Sequence, residues 1–81
     1  MLSYHTFYAE YSGATPEDVI QAVYADAKAG TGMSFDVWWE YQSDLWSARY
    51  GRNIPKPDAP EAARQLLDIL VDLGALEVGA A

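Results

Sequence analysis

Ser34-Phe35-Asp36-Val37-Trp38-Trp39-Glu40-Tyr41-Gln42-Ser43-Asp44-Leu45-Trp46-Ser47-Ala48-Arg49-Tyr50 contains all three tryptophans of the chain. Wound at about 100° per residue, it sets Asp36, Glu40 and Asp44 on one narrow ridge with Ser43 and Ser47. Leu45, Trp38, Phe35, Trp46, Trp39 and Tyr50 fill one side of the remaining circumference, and Val37, Ala48 and Tyr41 fill the other. A surface helix normally shows an apolar stripe a little over 100° wide. So broad an aromatic arc predicts a helix enclosed on nearly every side, packed centrally between the N-terminal segment and the other helices. Only the acidic ridge is left for water or a partner.

The flanks are punctuated clearly. Ser34 is placed to cap this helix, and Gly51-Arg52-Asn53-Ile54-Pro55-Lys56-Pro57 cannot continue it, because two prolines disfavour helix at and before themselves. Upstream, Thr15-Pro16-Glu17-Asp18 is a helix start with a capping hydroxyl, a proline in the first turn and two acids at the positive dipole end. Val19, Ile20, Val23, Tyr24 and Ala27 then share a face, opposite Glu17, Gln21, Ala25 and Lys28, and Gly30-Thr31-Gly32 is the expected stop. Downstream, Asp58 and Glu61 form a box-like start with Pro60 in the first turn. Ala62, Ala63, Leu66, Leu67, Ile69, Leu70 and Leu73 line one face of that third helix, with Gly74 just past its end. Residues 2–11 are rich in β-formers and alternate as one strand, and Ala75-Leu76-Glu77-Val78 reads as a second.

The expected class is α+β, in the order β-α-α-α-β. Three helices pack on a small two-stranded antiparallel ribbon made by the N- and C-terminal segments. An all-α three-helix bundle is the alternative. Eighty-one residues make a single domain, 1–81, near the lower size limit for folding without a staple. There is no cysteine, so stability rests on packing, and 14% aromatic content supplies large side chains for it. No run of residues approaches a membrane span, so the expected location is the cytoplasm and no membrane partner is expected.

Candidate chemistry is sparse. His5 is the only histidine, which removes His-pair metal sites, and no phosphate-binding glycine loop or nucleophile elbow is present. No cofactor, metal or catalytic residue is expected, and a non-enzymatic role follows. A small hydrolase or transferase would need a pocket around His5.

Twelve acids against five bases give a net charge of −7. Arg49, Arg52 and Lys56 gather in residues 49–57, while both flanking regions are acidic. Direct nucleic-acid binding is therefore not expected, and a basic protein surface is the favoured partner. The candidate partner-binding residues are Asp36, Glu40 and Asp44, with Asp68 and Asp72 repeating the spacing on the third helix. Acids four residues apart in a helix stand about 6 Å apart in rise, against ~3.4 Å per charge on one DNA strand. One ridge is too sparse to imitate DNA, so a second acidic helix would have to lie beside it. Such faces also serve simply to keep small proteins soluble. The expected function is an inhibitor of the kind encoded by phages and mobile elements, anti-CRISPR proteins among them, that blocks a nucleic-acid site on its target. This is a likeness of class, resting on small size, acidity and absence of cysteine. The alternative is a structural or adaptor subunit, or a homodimer, associating through exposed aromatics.

Overall fold

The computed structural model describes residues 1–27 and 32–79. In chain order its elements are β1 (Leu2–His5), β2 (Glu10–Gly13), α1 (Pro16–Ala27), α2 (Phe35–Tyr50), α3 (Ala62–Asp72) and β3 (Glu77–Val78). The class is α+β, as the sequence implies, and the terminal segments do pair antiparallel. The ribbon has three strands, not two, in the order β2-β1-β3. The N-terminal segment is not one strand over 2–11 but a hairpin. Leu2 pairs with Gly13 and Tyr4 with Tyr11, while Tyr4 on its other edge pairs with Val78. Leu2, Tyr4 and Tyr11 turn toward the core, and Ser3, His5, Glu10 and Ser12 occupy the opposite face.

The starts of α1 and α2 follow their sequence signals. The Asp18 amide donates to the Thr15 hydroxyl oxygen at 3.2 Å, and the Asp18 carboxylate accepts the Thr15 amide at 3.3 Å, a reciprocal capping box. Ser34 caps α2 through the Val37 amide. Gly30, Thr31 and Lys28 lie outside the described residues. The third helix departs from expectation at its start. Asp58 and Pro60 sit in a turn before it, and Glu61 stands at its N-cap with φ 50° and no side-chain cap. The pyrrolidine rings of Pro57 and Pro60 restrict their neighbours to turn and extended backbone, which delays the helix to Ala62. Its end is as expected: the Gly74 amide donates to the Val71 carbonyl and the Ala75 amide to the Leu70 carbonyl.

Val19 and Ile20 of α1, Trp38 and Trp39 of α2, Ile54 of the connector, five residues of α3 and Leu76 form the core. The hub is α1 and not α2, because α1 packs against β1, β2, α2 and α3. Gly13 makes that approach close. A Cβ there would lie 2.4 Å from the Asp18 Cβ, so only glycine lets β2 run this near α1.

The connector after α2 folds back along it. Gly51, at φ 65°, turns the chain sharply. The Ile54 amide then meets the Ser47 hydroxyl at 3.4 Å, and the Pro55 carbonyl accepts from both the Ser43 hydroxyl (3.2 Å) and the Trp39 indole N–H (3.0 Å). Lys56 reaches the Glu40 carbonyl and pairs with Asp44. The connector thus runs back from Ser47 to the middle of α2, where Pro55 and Lys56 meet residues 39–44.

Candidate docking surface

The connector, residues 51–57, lies as a strap along α2 and settles which face of that helix is covered. Ser43, placed by the wheel on the acidic ridge, is 0% exposed beneath it. Trp38 and Trp39 enter the core, while Phe35 and Trp46 pack at its edge. These rings and Tyr24 of α1 form one cluster, with the Tyr24 centroid 5.4 Å from Phe35 and 5.5 Å from Trp38.

The opposite arc is open, contrary to the near-complete enclosure expected. Val37, Tyr41 and Leu45 are 52%, 50% and 45% exposed, and Ala48 is also exposed. The physical reason is the small number of layers. Among the described residues, α2 has α1 on one side and the strap on another, and no further layer closes over its outer arc. Four-residue spacing aligns Val37, Tyr41 and Leu45 in one stripe, with Asp36, Glu40 and Asp44 along one of its borders. Arg49, exposed on the far side, packs its guanidinium 5.5 Å from the Tyr50 ring centre.

All five predicted partner-binding acids are exposed, but their surroundings differ. Asp44 pairs with Lys56, and Asp72 pairs with Arg52 at 2.8 Å. The strap therefore links the two acidic helices, carrying one base to each. Among the described residues, the carboxylates of Asp36, Glu40 and Asp68 have no basic side chain within 4 Å. The two acidic helices are thus linked through the strap, with one carboxylate on each held by a base. Fewer unpaired carboxylates remain than the sequence alone suggests, and an exposed apolar stripe lies beside Asp36 and Glu40. Sequence reasoning missed that stripe because periodicity ranks Val37, Tyr41 and Leu45 as apolar without telling which side the core takes. The prolines after Gly51 were the available signal, since a connector too stiff to be helical must lie extended against something.

Two other features bear on chemistry. His5 Nε2 lies 3.0 Å from Glu77 Oε2, joining β1 to β3 at a shallow crevice lined by His5, Thr6, Phe7, Gly74, Ala75 and Glu77. Thr6, the one hydroxyl in that lining, is engaged with turn amides. Tyr11 donates to Asp26 at 2.7 Å; burial, that bond and the Asp26 charge together push its hydroxyl up to about 12. Among the described residues no three His, Cys, Asp or Glu side chains gather as a metal site would require. No helix among them is long and apolar enough to cross a membrane.

No known family, curated protein or solved structure matches the chain.

Proposed function

We propose that this protein is a small acidic binding module that lays the outer face of α2 on another protein. The observation that carries the proposal is the half-exposed Val37–Tyr41–Leu45 stripe bordered by Asp36 and Glu40. Anchors at i, i+4 and i+8 suit an apolar groove, and the acidic border selects a groove edged with Lys or Arg. A tyrosine at the centre supplies a large, stiff contact of the kind enriched at interface hot spots. A second copy of the chain fits less well, because it offers Arg49 alone against three acids on this face.

The narrower form of the proposal is an inhibitor, of the phage or mobile-element kind, that occupies a basic nucleic-acid-binding surface. The net charge of −7 and the two acidic helices linked by the strap favour it. The second form is an adaptor subunit held mainly by apolar contact, favoured by the exposure of Tyr41.

A two-part substitution series with a salt titration tests both forms. Asp36→Lys with Glu40→Lys changes charge without touching the Lys56 ion pair, and Tyr41→Ala with Leu45→Ala removes apolar area. Affinity capture from native extracts at low and high salt identifies the partner, and the purified partner is then titrated. The inhibitor form expects the charge variant to slow association steeply at low salt and to release a nucleic-acid competitor. The adaptor form expects the apolar variant to dominate, with little salt dependence. A partner bound equally well by both variants would remove α2 as the docking face.

A further inference from the structure

The turn joining β1 to β2 is Thr6-Phe7-Tyr8-Ala9, with none of the Gly, Asn, Asp or Pro residues that hairpin turns favour. Thr6 holds its shape instead. The Thr6 amide donates to the Ala9 carbonyl at 2.8 Å, and the Thr6 hydroxyl oxygen accepts the amides of Tyr8 (3.1 Å) and Ala9 (3.0 Å). The side chains of Phe7 and Tyr8 therefore have no part in making the turn. They cover no core either, since each is 92% exposed. Their rings meet edge to face, centroids 5.0 Å apart at 76°, and so form a single aromatic knob on a braced turn. Small polar residues would serve the local backbone better and would favour solubility, so neither the turn nor the core accounts for two aromatics here.

We propose that this knob is a second docking element, inserted into an apolar pocket of a protein partner whose rim carries Lys or Arg. Charge selects the occupant. Glu10 and Glu77 pair across the strands with His5, at the base of the knob, and the whole chain carries −7. A bilayer with anionic headgroups is repelled by that field, and so is a second copy of the chain, whereas a basic rim is attracted. Bracing by Thr6 leaves little backbone freedom to lose on docking, which favours a preformed pocket over a surface that must reorganise. The knob rises from the sheet, while the α2 stripe belongs to a helix packed on α1 and the strap. The two surfaces sit on different elements, so this inference stands whether or not α2 docks. If both operate, the molecule grips one partner at two places or joins two partners.

The test places a benzophenone photo-crosslinker at position 8, and separately at position 41, in the full chain inside cells that naturally contain it. The protein joined at position 8 is identified, the linked peptide is mapped, and the purified partner is titrated with Phe7→Ala, Tyr8→Ala, their double variant and Tyr41→Ala. The expected result is a link inside an apolar pocket bordered by Lys or Arg. Each single knob variant should weaken binding about tenfold or more and the double about a hundredfold, chiefly through faster dissociation. Both residues are outside the core, so the variants should keep the wild-type circular dichroism and melting temperature. The proposal is overturned by position-8 adducts only to lipid or to copies of this chain, or by none to protein while position 41 gives one. It is equally overturned by knob-dependent sedimentation with vesicles of phosphatidylcholine, with or without phosphatidylglycerol. A double variant that binds the partner as wild type also removes it, and if Tyr41→Ala then still weakens binding, the α2 proposal survives alone.

Discussion

Replacing the two donors that converge on the Pro55 carbonyl should reveal how the strap is held on α2. Ser43→Ala removes the 3.2 Å hydroxyl bond but leaves the carbonyl bonded to the Trp39 indole, so the cost is that of one ordinary bond, about 0.5–1.5 kcal/mol. Trp39→Phe removes the 3.0 Å indole bond and part of a side chain only 3% exposed, so about 2–3 kcal/mol is expected from bond and packing together. In the double variant no donor remains, and a stranded carbonyl adds about 1–2 kcal/mol beyond the sum of the singles. For a domain of this size 1 kcal/mol shifts the melting temperature by roughly 4–8 °C, so the excess is measurable by heating as well as by urea. Far-ultraviolet circular dichroism is the suitable signal, because changing Trp39 alters fluorescence directly. Additivity within about 0.5 kcal/mol would refute the reasoning, since it would mean that water reaches the carbonyl as soon as either donor leaves.

Three further outcomes follow from described geometry. Gly13→Ala should destabilise the fold by about 1–3 kcal/mol in urea unfolding, because its Cβ would sit 2.4 Å from the Asp18 Cβ and 3.0 Å from backbone atoms of α1. Glu61→Asn should raise stability by several tenths of a kcal/mol, since asparagine tolerates the φ of 50° better than glutamate does. Tyr11 keeps its proton in the folded chain up to about pH 12, whereas an unfolded tyrosine loses it near 10. Its contribution is therefore complete below pH 10 and is lost as pH rises through 12. Asp26→Asn should bring the tyrosinate absorbance of Tyr11, read as the difference from Tyr11→Phe, to lower pH.

The helix signals that were legible were local ones. Thr15 with Asp18, Ser34 and Gly74 each act within one turn of chain, and each sits where the sequence places it. The split of residues 2–11 was hidden because Phe7 and Tyr8 look like strand residues, and the turn depends on one threonine rather than on turn-forming side chains. The start of α3 was misread because Asp58 and Glu61 have box spacing, although flanking prolines hold that backbone out of the helix. At the candidate site, the exposure of all five acids was legible, but the pairing of Asp44 with Lys56 and of Asp72 with Arg52 was not, because it depends on the path of the strap. The exposed stripe on α2 was missed for the same reason. Periodicity identifies an apolar residue, and only tertiary layering decides whether anything covers it.

Strand order has a consequence for how the molecule is made. β1 is the middle strand of the sheet, yet its second neighbour lies at the far end of the sequence: His5 and Glu77 are 72 positions apart. On the ribosome the β1–β2 hairpin can close early, but the other edge of β1 must wait for all three helices to be synthesised. Until Gly79 donates to the Ser3 carbonyl, the nascent chain presents an open β edge beside two exposed aromatics. The two-residue β3 is thus the closing stitch, and losing it would leave every newly made copy able to template strand pairing with its neighbours.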